Sequence, residues 1–311
     1  MALNRERVGI VGLVGFLVVD ALLVALALNS TRGDVAEGGT TLTPDRTAAA
    51  ASTAAGPSTT GAASADPGIE VVPLTVGVVG IDEATALRFH TGSCTKGGAS
   101  LELTTNGGQS WGPRATKFDA LARVRVRDNG SAFLVGGSRD SDCTPKIRQS
   151  SKYDGDWGNA SVVNDAWFRD PRDPQSVGLP TGGTSHPCGS LTVTDLAVVD
   201  TAAAALCSDG AVLVSKTGAT WSKAATVPSA LALSLDSDAH PYLVVPGADQ
   251  CAGLAVVKAG EPDRALGCAE LDASGVAPGT VALSVSAGPG WLVAGDRSFH
   301  SGTDLKTWKK S

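Results

Sequence analysis

Three observations predict an all-β chain folded as a β-propeller of five blades, or six. From about residue 69 to residue 311, short β-rich runs alternate with Gly, Asp, Asn and Pro turns, and little there has helical period. An apolar strand, a turn, a strand ending in Leu-Val-like residues and a third strand recur at ~40–50 residues, the length of one propeller blade. Four of these units close on a tryptophan, at Trp111, Trp157, Trp221 and Trp308.

The chain opens differently. MALNRER carries Arg5 and Arg7 and precedes a 21-residue apolar run, residues 8–28, with one charge. At about 1.5 Å per residue such a helix spans roughly 30 Å, enough for a bilayer core. The arginines before it predict that residues 1–7 stay cytoplasmic and everything after the span lies outside. A cleaved signal peptide is the alternative, with cleavage after Ala27 in the small-x-small pattern Ala25-Leu26-Ala27, although the run exceeds the usual ~7–15 residues of a signal core. Asp20 lies inside the span beside a small-residue face of Gly9, Gly12 and Gly15. Either a partner helix in the membrane meets it, or a single carboxylate is tolerated there.

Residues 29–68, rich in Ala, Ser, Thr, Pro and Gly, have no apolar period to repay their ordering entropy. They are expected to form a disordered tether with a reach of roughly 35 Å.

Residues 69–311 follow as the propeller. Trp111 and Trp157 stand 46 residues apart, and Trp221 and Trp308 stand 87 apart with one unit lacking tryptophan between them. The 64 residues from Trp157 to Trp221 make one step plus an insertion, residues 164–187. Five blades are clear. A sixth would have to be drawn from 164–190, where Pro171, Pro174, Pro180 and Pro187 resist strand formation. The insertion is therefore expected as a long loop that exposes Trp167, Phe168 and Arg169 for binding, unless the two aromatics tuck against the propeller.

The turn TTNGGQSW, residues 104–111, carries the sharpest motif. Thr104, Asn106, Gly108, Ser110 and Trp111 resemble an Asp-box, the BNR repeat of the sialidase-like superfold. The turns at Trp157, Trp221 and Trp308 are degraded copies. The resemblance implies a peripheral blade hairpin: Asn106 holds its own turn, Gly108 supplies positive φ, and Trp111 plugs the space between neighbouring sheets. It does not imply catalysis. The sialidase arginine motif is missing, and Tyr153 and Tyr242 are the only tyrosines.

SGTDLKTW, residues 301–308, also resembles a turn of five-bladed arabinanase-like glycosidases. A glycosidase needs two carboxylates about 5–10 Å apart, and Asp82, Asp128, Asp195, Asp236 and Asp238 lie near strand ends, where turns favour Asp anyway. No nucleophile elbow, P-loop or HExxH occurs, the four histidines are scattered, and no cofactor is expected.

One strand stands out. In ARVRVRD, Arg123, Arg125 and Arg127 alternate with Val124 and Val126, so all three arginines share one face. On an innermost strand they would line the central channel or its rim and grip an anionic group; otherwise they form a solvated or salt-bridged face.

The six cysteines all follow residue 69, as an exported disulfide framework would, and with no CxxC or nearby histidine grouping they do not suggest zinc. The expected pairs are Cys94–Cys143 between adjacent blades, Cys188–Cys207 stapling the insertion, and Cys251–Cys268 closing one blade. A net charge of −6 argues against nucleic acid. The expected function is a binding, scaffold or assembly module of the cell envelope. Its partner would be an envelope or membrane protein reached through Asp20 and the insertion, or a glycan. The rival is a carbohydrate-active enzyme or a degenerate relative of one.

Overall fold

The structure, a computed structural model, describes residues 75–285 and 288–311. The apolar span 8–28 with Asp20, and the tether 29–68, lie outside these residues. Among those described, no helix is long and apolar enough to cross a membrane.

Among the described residues, twenty-three strands form six antiparallel sheets. Blade 1 holds β1 (Val76–Gly80), β2 (Ala86–His90), β3 (Ser100–Thr104) and β4 (Gly112–Arg114). Blade 2 holds β5 (Ala120–Val126), β6 (Ala132–Gly137), β7 (Lys146–Ser150) and β8 (Ser161–Val162). Blade 3 has three short strands, β9 (Phe168–Arg169), β10 (Val177–Gly178) and β11 (Thr184–Ser185). Blade 4 holds β12 (Val193–Val199), β13 (Ala202–Cys207), β14 (Ala211–Ser215) and β15 (Ser222–Thr226). Blade 5 holds β16 (Ala232–Leu235), β17 (Pro241–Pro246), β18 (Leu254–Lys258) and β19 (Glu261–Ala269). Blade 6 closes the ring with β20 (Val281–Ser284), β21 (Gly290–Ala294), β22 (Arg297–Ser301) and β23 (Trp308–Lys310).

The first strand of each blade is innermost. Strand β1 touches β5 and β20, β9 touches β5 and β12, and β16 touches β12 and β20. The fold is a six-bladed β-propeller.

Six is the higher of the two blade counts expected, and the sixth blade is made from the segment expected as a loop. The prolines do not forbid blade 3; they punctuate it. Pro171 and Pro174 fall between β9 and β10, Pro180 between β10 and β11, and Pro187 after β11, where no ladder amide is needed. Trp167 meets the C-terminal half of β5 and the residues after β12, while Arg169 to Pro171 meet the starts of those strands. Strand β9 therefore runs counter to the inner strands on either side.

No sheet borrows a strand from the far end of the chain, so ring closure rests on packing and on bonds between blades. Each seam of the ring carries at least one such bond. Leu121 N donates to Thr91 O at 2.7 Å between blades 1 and 2. Arg123 Nη1 donates to Trp167 O at 2.8 Å, and Arg169 Nη1 to Thr194 O at 3.3 Å. Leu233 N donates to Asp195 Oδ2 at 2.8 Å, Val285 N to Ser234 Oγ at 3.1 Å, and Gly80 N to Ser284 Oγ at 3.0 Å.

Tryptophans plug four of the six seams from further out. Trp157 joins the apolar core of blades 1 and 2, and Trp308 that of blades 5 and 6. Trp221 meets Trp167 edge-on at 5.8 Å and donates to Ser185 Oγ at 2.9 Å across the seam of blades 3 and 4. Trp111 meets the fully buried Trp291 edge-on at 6.1 Å, and Trp291 in turn donates to Asp82 O at 2.7 Å. Such edge-to-face pairs add to area burial, and here they tie blade 6 to blade 1. The seam of blades 4 and 5 is instead filled by Ala, Val and Leu side chains.

Three disulfides are present, Cys94–Cys143, Cys188–Cys207 and Cys251–Cys268. The first links the loops after β2 and β6, the second holds the exit of blade 3 to β13, and the third joins β19 to the loop before β18 within blade 5.

Candidate functional site

The Trp111 turn shows what its residues do. Thr104 Oγ1 accepts from Gly108 N at 3.0 Å and donates to Asn106 Oδ1 at 2.9 Å, while Ser110 N also donates to Asn106 Oδ1 at 3.1 Å. Asn106 Nδ2 donates to Ser110 Oγ at 2.9 Å. Gly107 and Gly108 sit at φ of 70° and 86°, a region that side chains disfavour. The side-chain oxygens of Thr104 and Asn106 and the Asn106 amide are spent inside the hairpin. The same first-position hydroxyl recurs in blade 4, where Ser215 Oγ accepts from Gly218 N at 2.8 Å.

The arginine strand is innermost, as one reading of its sequence required. Val124 packs into the core shared with blade 1, and the arginine face turns toward blade 3. Phe133 lies directly across from Arg125 on β6, and the guanidiniums of Arg123 and Arg127 lie over its ring at 5.3 and 5.0 Å. Arg123 is committed to the fold through Trp167 O. Burial, and then the charges of Arg125 and Arg127, pull its guanidinium down to about 9, still protonated at neutral pH. Arg125 pairs loosely with the exposed Asp200 at 3.6 Å. Arg127 is exposed.

These side chains open onto a rim cleft of about 420 Å³ between blades 2, 3 and 4. Its walls add Lys216, Asp165 and Asp200, with Phe133, Trp167 and Pro180 supplying apolar surface. Four cations face two carboxylates there, so the cleft is net positive.

Of the two outcomes expected for Trp167 and Phe168, the structure has them tucked against the propeller and not exposed. Trp167 is 1% exposed and Phe168 8%, and both form core between blade 3 and its neighbours. Gly178, opposite Phe168, must lack a side chain because a Cβ there would run into the ring. Arg169 is also not on a loop surface. It stands in the wall of the central channel, a cavity of about 280 Å³, where burial pulls it down to about 10 although the charge of Asp195 opposes that shift. Asp195, at a bulge in β12, is buried as well. Its oxygens accept from Leu196 N and Leu233 N, both at 2.8 Å, while burial pushes its carboxyl up to about 6.

The remaining strand-end carboxylates hold turns. Asp82 Oδ1 accepts from Ala84 N and Thr85 N, both at 2.8 Å. Asp236 Oδ1 accepts from Asp238 N and His240 N at 2.9 and 2.8 Å. Asp236, Asp238 and His240 are the one cluster of potential metal ligands among the described residues, on the turn between β16 and β17. Asp128 is exposed on the turn after β5.

No family model matches the chain, and no curated protein does. Solved structures do. The chain is similar to YCF48 bound to a D1 peptide, with 16% identity and a TM-score of 0.38 over 77% of this chain and 82% of that one. It is similar to PorZ, a surface component of the type-IX secretion system of Porphyromonas gingivalis, with 11% identity and a TM-score of 0.37 over 76% of this chain and 38% of that one. It is also similar to the GH74 xyloglucanase of Xanthomonas campestris, with 18% identity and a TM-score of 0.28 over 76% of this chain and 38% of that one. At these values the three do not bear on what this chain binds.

Proposed function

We propose that this chain is a binding and assembly module of the cell envelope. In this reading residues 8–28 anchor it, residues 29–68 tether it, and the propeller works outside the cytoplasm. The partner is an envelope or membrane protein that places an acidic group in the rim cleft. One observation carries the reading: Arg125, Arg127 and Lys216 converge on a concave, partly apolar surface whose own lining adds two carboxylates, Asp165 and Asp200. Guanidiniums in that setting suit a carboxylate held bidentately. A tether makes weak docking effective, because a confined partner meets the cleft at an effective concentration of order millimolar.

The turn at Thr104 to Trp111 is read as an Asp-box in this propeller, supported by its closed hydrogen-bond set and by Trp111 at the seam of blades 6 and 1. That role is structural. The glycosidase reading is less well supported, since Asp195, Asp82 and Asp236 each spend carboxylate oxygens on backbone amides.

The test is cross-linking of the intact protein in its own cells, followed by mass spectrometry. Arg125→Glu/Arg127→Glu should cut capture of a discrete envelope or membrane protein at least tenfold while the propeller stays folded. Equal capture by the variant would remove the cleft from the proposal. Enrichment of glycan or wall material alone would favour the carbohydrate reading.

A further inference from the structure

The central channel contains a cation that the fold leaves incompletely partnered. Arg169 Nη1 bonds Thr194 O, but its Nε is buried with no partner. Its guanidinium borders two spaces, the channel of about 280 Å³ and a cavity of about 190 Å³ beneath the 170–174 loop. Of the buried carboxylates around it, Asp195 gives an oxygen to each of two backbone amides and Asp170 pairs with Arg172, and no carboxylate stands within ion-pair distance of Arg169 among the described residues.

The channel wall adds donors. Ser234 Oγ accepts from Val285 N, and Ser284 Oγ accepts from Gly80 N, so each hydroxyl keeps its proton to donate. Both serines line the channel. The wall also holds Arg123, Arg125, Asp128, Asp195 and Asp200, but Arg123 is bonded to Trp167 O, Arg125 pairs with Asp200, and Asp195 holds two amides. The cation left over is Arg169, and with serine hydroxyls lining the same space it suits an anion.

We propose that the channel binds a compact carboxylate on Arg169, a side chain outside the rim cleft, although the two spaces share Arg123, Arg125 and Asp200. The two sites have different occupants: the cleft takes an acidic group on a protein, and the channel takes a small free acid.

The probe is acetate, titrated into the full chain held in detergent and followed by methyl NMR at constant ionic strength. Saturable binding with Kd on the order of 1–10 mM is expected, as four non-hydrogen atoms allow. Nuclear Overhauser contacts should run from the acetate methyl to the channel methyls of Val78 and Val199. Arg169→Lys should weaken binding at least fivefold and Arg169→Gln should abolish it, whereas Arg264→Gln, on the exposed strand β19, should leave it unchanged. Should Arg169→Gln fail to fold, the wild-type contacts and Arg169→Lys decide the matter. Absence of saturable binding, contacts elsewhere than the channel, or undiminished affinity in Arg169→Lys would overturn the proposal. None of these outcomes touches the rim cleft, whose test reads a different partner.

Discussion

Asp195 shows what one residue contributes. Its carboxylate joins blade 4 to blade 5 through Leu233 N, yet burial raises its folded pKa to about 6 from an ordinary value near 3.8. Between those values the folded state binds more protons than the unfolded chain, so stability from this group falls as pH rises from about 4 to about 6, then levels off. A shift of that size corresponds to roughly 3 kcal/mol. Asp195→Asn removes the titration, and urea unfolding across pH 4 to 7 should lose this downward step relative to wild type. A variant that keeps the same pH profile would assign the step to another group. In the sequence Asp195 was one of five strand-end carboxylates with nothing to set it apart, because its burial comes from a bulge and a neighbouring blade. Thr104 to Ser110 were legible for the opposite reason: their side-chain bonds are local.

Blade 3 is the element that was hidden. Its strands have two residues each, where the inner strands of the other blades have four to seven, and they show no period, and one runs against its neighbours. Its apolar residues, Trp167, Phe168 and Val177, pack against blades 2 and 4, contacts that no local pattern encodes. The excess spacing between Trp157 and Trp221 was the one available signal, and the prolines argued against using it. The arginine alternation on β5 was plain, whereas the thin blade facing it was not. An element with so little ladder of its own depends on its staple. Replacing Cys188 and Cys207 together with alanine opens a loop of 19 residues, at a cost of about 3 kcal/mol. Limited proteolysis should then cut first within 170–187. Cleavage that begins in blade 5 or 6 instead would show that the disulfide does not guard blade 3.

At the scale of the molecule, repeat length and tryptophan spacing made the propeller readable, while the ring's closure was not, since every bond across the seams joins residues far apart in sequence. That closure has a consequence for the order of the chain. Each sheet is made from consecutive strands, and blade 6 meets blade 1 only through contacts such as Gly80 to Ser284 and Trp111 to Trp291. Among the described residues only single bridges, Gly92 with Ala120 and Cys268 with Thr307, cross a seam, and no named strand is shared between blades. The propeller's wiring is thus separable from its architecture: a permuted chain opened at Pro228–Ser229, with residue 311 joined to residue 75 by a flexible linker, would keep every strand pairing. Its circular dichroism should match the parent's and its melting temperature should fall by only a few degrees. A permutant that collapses would mean that the seam of blades 4 and 5 must be covalently spanned before the others can form.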